Sequence, residues 1–170
     1  MNVLLLAAGY GKRLRQLTKS TPKCLIKVDE ETMLDFWIKK INDINFDKIY
    51  INTHYLHEQV YTQLKKYKNI DIKILYEKKL LGTSGTIFKN LNYFKDNDLL
   101  VIHCDNFTNF DISKLIEVNK MKPKKCIMTM LTFDTNKPKD SGIVIKNSEN
   151  ILENYFEKKT GNYGNEANAA

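Results

Sequence analysis

A chain of 170 residues with 27 Lys and Arg against 20 Asp and Glu carries a net charge of +7 and is long enough for one domain with a buried core. No apolar stretch approaches the length of a membrane-spanning helix, and the N-terminal run Val3-Leu4-Leu5-Leu6 is too brief for a signal peptide. The three cysteines, Cys24, Cys104 and Cys126, form neither a metal-ligand spacing nor an even disulfide set, so a cytoplasmic protein with no membrane partner is expected.

In chain order, Val3 to Leu6 is bounded sharply enough to be a buried strand. Thr32 or a neighbour can cap a helix whose inner face is Leu34, Trp37, Ile38, Ile41 and Ile44. Lys48 to Asn52 reads as a second strand, and Leu56, Val60, Leu64 and Tyr67 mark a second amphipathic helix. Ile70 to Tyr76 alternates as a third strand, followed by the turn LLGTSGT, from which a short helix starts near Ser84. Leu99 to His103 is a fourth strand, and Asp111 can cap the next helix. Cys126 to Leu131 is expected to be a further strand, and Ile143–Ile145 and Ile151–Glu157 a strand pair split by the polar turn 147–150. Alternating strands and helices without repeats predict an α/β fold, three-layered, on a mostly parallel mixed sheet with some antiparallel strands late in the chain. Such sheets bind ligands beyond the carboxyl ends of their strands, where Gly9, Gly82 and Asp105 all fall.

The first of those ends is the most informative. Ala7, Ala8, Gly9 and Gly11 let the backbone approach a ligand, and Arg13 and Lys23 follow, the latter fixed by Pro22. Small residues after a strand, with amides and two cations, make an anion grip. It is not the GxGxxG fingerprint, because position 14 is Leu14, and no GxxxxGK[ST] spacing occurs.

The full stretch from Leu6 to Val28, LAAGxGxRLxxLTxxxPKxLxxV, resembles the signature of the sugar-phosphate nucleotidyltransferases, with Gln16 where that family usually has Pro. The resemblance implies a Rossmann-like, GT-A-like fold and an enzyme that joins a nucleoside monophosphate from an NTP to a sugar-1-phosphate, releasing pyrophosphate. Such chemistry needs positioned cations and a divalent metal, Mg²⁺, rather than a protein nucleophile. By resemblance, Arg13 grips the β- and γ-phosphates, Lys23 is the second phosphate cation, and Asp105 holds the metal, with Cys104 replacing the family's Gly. Arg15 fits a surface arginine better.

Gly82-Thr83-Ser84-Gly85 resembles the LGTAGx turn that lies against the nucleoside, and its LGT(A/S)G form leans toward GTP. Gly142 resembles a glycine passing close to the sugar. Tyr155-Phe156-Glu157-Lys158 resembles the (V/F)xEKP motif, in which Glu157 holds sugar hydroxyls and Lys158 the sugar phosphate; Lys159 stands in place of Pro. Asn168 resembles an asparagine that also contacts the sugar.

The family continues past this point into strands that supply a second metal-binding aspartate, for which this chain offers no candidate. A single nucleotidyltransferase domain over 1–170, truncated at its C-terminus, is therefore expected, with self-association left open. The rival readings are a choline-phosphate cytidylyltransferase-like enzyme and a non-catalytic nucleotide-sugar-binding regulator. Nucleic acid is not an expected partner, since no basic stripe with interleaved aromatics is visible. His54, His57 and His103 form no metal spacing and read as packed or solvated side chains, with His54 near the pocket.

Overall fold

The computed structural model describes residues 1–14, 16–159 and 161–169; Arg15, expected at the surface, lies outside the described residues. In chain order the elements are β1 (Asn2–Leu6), a small hairpin of β2 (Lys27–Val28) and β3 (Glu31–Thr32), α1 (Met33–Asn42), β4 (Lys48–Thr53), α2 (His57–Leu64), β5 (Ile72–Tyr76), α3 (Gly82–Lys89) and β6 (Leu99–His103). They are followed by α4 (Ile112–Met121), β7 (Thr132–Asp134), β8 (Gly142–Lys146), β9 (Leu152–Glu157) and β10 (Glu166–Asn168). The chain divides into two compact units, Met1–Thr108 and Asn109–Ala170.

The first unit is built on a parallel four-stranded sheet in the order β5-β4-β1-β6. Parallel strands covered on both faces read as continuous apolar runs, and Val3, Leu4 and Leu5 are all fully buried. Leu4 packs with Tyr50, Leu75 and Phe94 in one buried cluster. The helix spacing holds as far as Ile41: Leu34, Trp37, Ile38 and Ile41 of α1 are buried, whereas Ile44, expected on the same face, lies past the end of the helix and is half-buried. The Thr32 hydroxyl caps the helix by accepting from the Asp35 amide. The strands run outward from β1 through β4 to β5, and the chain then returns to place β6 on the other side of β1. The order therefore reverses between β1 and β6, where a crevice opens at their carboxyl ends.

The second unit is an antiparallel sheet, β7-β10-β8-β9, with α4 capped by Asp111 through the Ser113 amide. The late antiparallel strands thus form their own sheet. The strand expected at Cys126 to Leu131 is absent; the ladder begins at Thr132, and Ile127 is 95% exposed. An apolar β-prone run becomes a strand only where a partner takes up its backbone groups, and the partner here, β10, pairs with 132–134. No helix among the described residues is long and apolar enough to cross a membrane.

Candidate active site

The crevice at the β1–β6 reversal holds a cavity of about 200 Å³. It is lined by Ala7, Ala8 and Gly9 after β1, Lys23, Asn52 near the end of β4, Gly82 and Thr83 at the start of α3, His103 at the end of β6, and Cys104 and Asp105 after it. Seven residues expected from sequence therefore meet around one space: Ala7, Ala8, Gly9, Lys23, Gly82, Thr83 and Asp105. Gly11, Arg13 and Gly85 stand outside its lining.

Lys23 and Asp105, 82 positions apart, form an ion pair through Nζ and Oδ2, with side chains only 25% and 33% exposed. The Asp105 loop is tied to α1 by Trp37, whose indole N–H donates to the Asn106 carbonyl at 2.8 Å. Arg13 is exposed on a 3₁₀ turn, Lys12–Leu14. Gly11, just before that turn, has φ +64, and a Cβ there would lie 2.6 Å from Thr18 Cγ2 and 3.2 Å from Lys23 Cβ. Only glycine lets the loop pass this close to the base of Lys23.

The amides of Ala7 and Ala8 do not face the crevice as free donors. Both donate to Asn52 Oδ1, at 2.7 and 3.3 Å. The Asn52 amide in turn donates to Glu77 Oε1 and Thr86 Oγ1, at 3.0 and 3.1 Å. Glu77 is 1% exposed, and its carboxylate also accepts from the Thr86 hydroxyl and the Leu81 amide. A carboxylate withdrawn from water this far is tolerable only because its oxygens are hydrogen-bonded.

This Asn52–Glu77–Thr86 group, which joins the loop after β1 to the start of α3, is not legible in the sequence. A polar residue closing an apolar strand looks like a turn residue there. The available signal was that Asn52 lies near the end of the buried strand β4 and Glu77 directly follows β5.

Cys104 is fully buried beside Cys24. A hydrogen bond to the Cys24 thiol and then burial push the Cys104 thiol well above its ordinary pKa. It stays protonated and is no nucleophile.

In the second unit, Glu157 on β9 faces Gly142 on β8 across the ladder. The Tyr155 hydroxyl donates to Glu157 Oε2 at 2.5 Å and lies over Gly142, where any Cβ would collide with it. Asn168 bonds to the same phenol. Lys158 Nζ lies 3.1 Å from Glu157 Oε1, and Lys158 adopts φ +48, a conformation disfavoured for a side-chain-bearing residue. Hydrogen bonds from Tyr155 and then Lys158 hold the Glu157 carboxyl below its ordinary pKa. Gly142, Glu157, Lys158 and Asn168 are thus brought together, with Tyr155 at the centre. The glycine gives room to this chain's own phenol.

Among the described residues, no group of three or more His, Cys, Asp or Glu side chains could hold a metal ion by itself. A divalent metal bound through one or two carboxylates, substrate phosphates and water does not require such a group.

A parallel sheet with small residues and a Lys–Asp pair at its strand-order reversal defines an α/β protein whose crevice lies beyond the carboxyl ends of its strands. The chain belongs to the nucleotidyl transferase family, whose model matches residues 2–169. It is 29% identical over 118 residues to the D-glycero-alpha-D-manno-heptose 1-phosphate guanylyltransferase of Aneurinibacillus thermoaerophilus, covering 69% of this chain and 51% of that protein. It is 26% identical over 176 residues to the mannose-1-phosphate guanyltransferase of Debaryomyces hansenii, covering 99% of this chain and 48% of that one.

The crystal structure of HddC from Yersinia pseudotuberculosis complexed with GMP-PN shares the fold, with a TM-score of 0.79 and 20% identity over 99% of this chain and 73% of that one. The chain spans about half the length of the curated relatives it matches.

Proposed function

We propose that this chain carries the nucleotide site of an enzyme that transfers a nucleoside monophosphate from an NTP, GTP foremost, to a sugar-1-phosphate. The observation that carries the reading is the Lys23–Asp105 pair at the β1–β6 crevice. The preference for GTP is supported by the LGTSG turn and by the guanylyltransferases among its relatives. The cytoplasm, with reduced thiols, is the setting that suits three free cysteines.

In the reaction, an acceptor phosphate oxygen attacks the α-phosphorus, and the bond to the bridging oxygen breaks, so that pyrophosphate departs with the electron pair. The chain's task is to hold two anions together and neutralise charge. Lys23 and Asp105 neutralise each other in the free protein. An arriving triphosphate would offer Lys23 a phosphate, and Asp105 would then be the residue to hold Mg²⁺. Bound there, the ion would neutralise phosphate charge. Arg13, exposed on its 3₁₀ turn, would fork onto the terminal phosphates and stabilise the leaving pyrophosphate. The Ala7 and Ala8 amides, held by Asn52, shape the loop, so that an anion meets amides from Gly9 onward. Gly82, Thr83 and Gly85 form the nucleoside wall. In the second unit, Glu157, Lys158 and Asn168 take the sugar hydroxyls and the sugar phosphate, while Gly142 leaves room for the Tyr155 phenol that holds Glu157.

Calorimetric titration of the four NTPs tests the nucleotide site. GTP should bind tightest, and Arg13→Ala should weaken it about tenfold or more, since it removes a charge-assisted contact without touching the core. Equal, weak binding of all four, unchanged in Arg13→Ala, would refute the assignment.

A further inference from the structure

The turn after β4 contains residues that the proposed chemistry leaves unused. Leu56, at the start of α2, lies in the left-handed region with φ +49 and ψ 38, uncommon for a branched side chain. A turn held in that conformation must be fixed by its surroundings, and its contacts run to the loop that carries Arg13. The Tyr55 hydroxyl donates to the Lys19 carbonyl at 2.8 Å, and Gln59 Nε2 donates to the Ser20 carbonyl at 2.9 Å.

On the near side of the loop, His54 Nδ1 lies 2.7 Å from the Glu77 carbonyl and His54 Nε2 lies 2.7 Å from the Tyr10 hydroxyl. A carbonyl only accepts, so Nδ1 carries the proton. In the neutral ring Nε2 is then an acceptor, and the Tyr10 hydroxyl donates into it. The Tyr10 ring meets His54 edge-on with centroids 5.2 Å apart, and the Lys12 ammonium sits 5.4 Å from the centroid of the Tyr10 ring. The loop is therefore pinned at Tyr10 and again at Lys19 and Ser20, on both sides of the 3₁₀ turn carrying Lys12 and Arg13. The chain of bonds ends on Glu77, the residue whose carboxylate already fixes the Asn52 and Thr86 side of the crevice.

We propose that His54 and Tyr10 are positioning residues for the triphosphate: the Glu77 carbonyl–His54–Tyr10 relay holds the phosphate loop in its binding shape before the nucleotide arrives. The inference rests on the reading of that loop as the triphosphate grip. Without the relay the loop must be ordered at the moment of binding, and affinity falls by that cost.

Tyr10→Phe removes the hydroxyl alone. His54→Asn keeps an amide able to reach the Glu77 carbonyl but cannot reach Tyr10. Each should weaken GTP binding about fivefold, the effect of one ordinary hydrogen bond. The double variant should be no weaker than either single one, and the melting temperature of Tyr10→Phe should stay unchanged, since Tyr10 is 39% exposed. The ¹⁵N NMR spectrum of His54 should show a protonated Nδ1 and a bare Nε2 in the free protein, with the Nε2 resonance moving in Tyr10→Phe.

Wild-type affinity in Tyr10→Phe, while Arg13→Ala loses GTP, would overturn the relay and leave the phosphate loop standing. Wild-type affinity in both variants would overturn the loop assignment and the relay with it. A proton on Nε2 instead of Nδ1 would overturn the relay as drawn.

Discussion

Gly9 and Gly11 stand two residues apart in the same motif and do different work. A methyl at Gly9 meets nothing within 4 Å, whereas at Gly11 it strikes Thr18 and the base of Lys23 in a left-handed backbone. Gly11→Ala should therefore cost about 1–2 kcal/mol of stability, read as a lower melting temperature. Gly9→Ala should melt like the wild type yet bind GTP less tightly, because its methyl enters the crevice. If thermal denaturation and GTP titration ranked the two variants the other way, the loop conformation described here would be wrong.

Lys23, Asp105 and the glycines were legible because motif spacing marks them. Asn52 and Glu77 were not. Their role depends on the register that sets Leu6 opposite Asn52 across two strands, and sequence spacing does not encode register between segments 46 residues apart.

At the scale of elements, α1 is anchored on its polar side as well as its apolar one. Asp35, 7% exposed, accepts from Gln63 Nε2 at 2.8 Å and the Tyr67 hydroxyl at 2.6 Å, and pairs with Lys66 at 2.8 Å, which ties α1 to α2 and the residues after it. Burial alone would raise this carboxyl, but the bonds from Lys66, Tyr67 and Thr32 outweigh it and hold the pKa below its ordinary value. A carboxylate whose pKa is lower folded than unfolded stabilises the fold above its unfolded pKa, about 3.9, and loses that contribution as the pH falls through the folded value. Asp35→Asn should therefore cost about 2 kcal/mol near pH 7, and the gap from wild type should narrow below about pH 4. Urea denaturation at both pH values measures it, and a gap independent of pH would remove the charge from the explanation.

The helix periods were readable because burial on α1 follows Leu34, Trp37, Ile38 and Ile41. The strand at 126–131 was misplaced because apolar content was visible in the sequence and the partner strand was not.

For the whole molecule, a family match over residues 2–169 agrees with a motif reading that began at Leu6 and reached Asn168. The α/β class and the crevice at the strand ends followed from the alternation of strands and helices. The separation of the late strands into a sheet of their own did not, because alternation orders elements along the chain without saying which ladder a strand joins. The net charge of +7 acquires a use on the proposed reading, since both substrates are polyanions that a positive surface attracts.

The most direct test of that reading is pyrophosphate release with Mg²⁺ across the four NTPs and a set of sugar-1-phosphates, with the nucleotide-sugar product identified by mass. We expect release with GTP and a particular sugar-1-phosphate, dependent on both substrates and reduced about 100-fold in Arg13→Ala. A protein that binds GTP but releases no pyrophosphate with any acceptor would contradict the transfer reaction and leave a nucleotide-binding protein in its place.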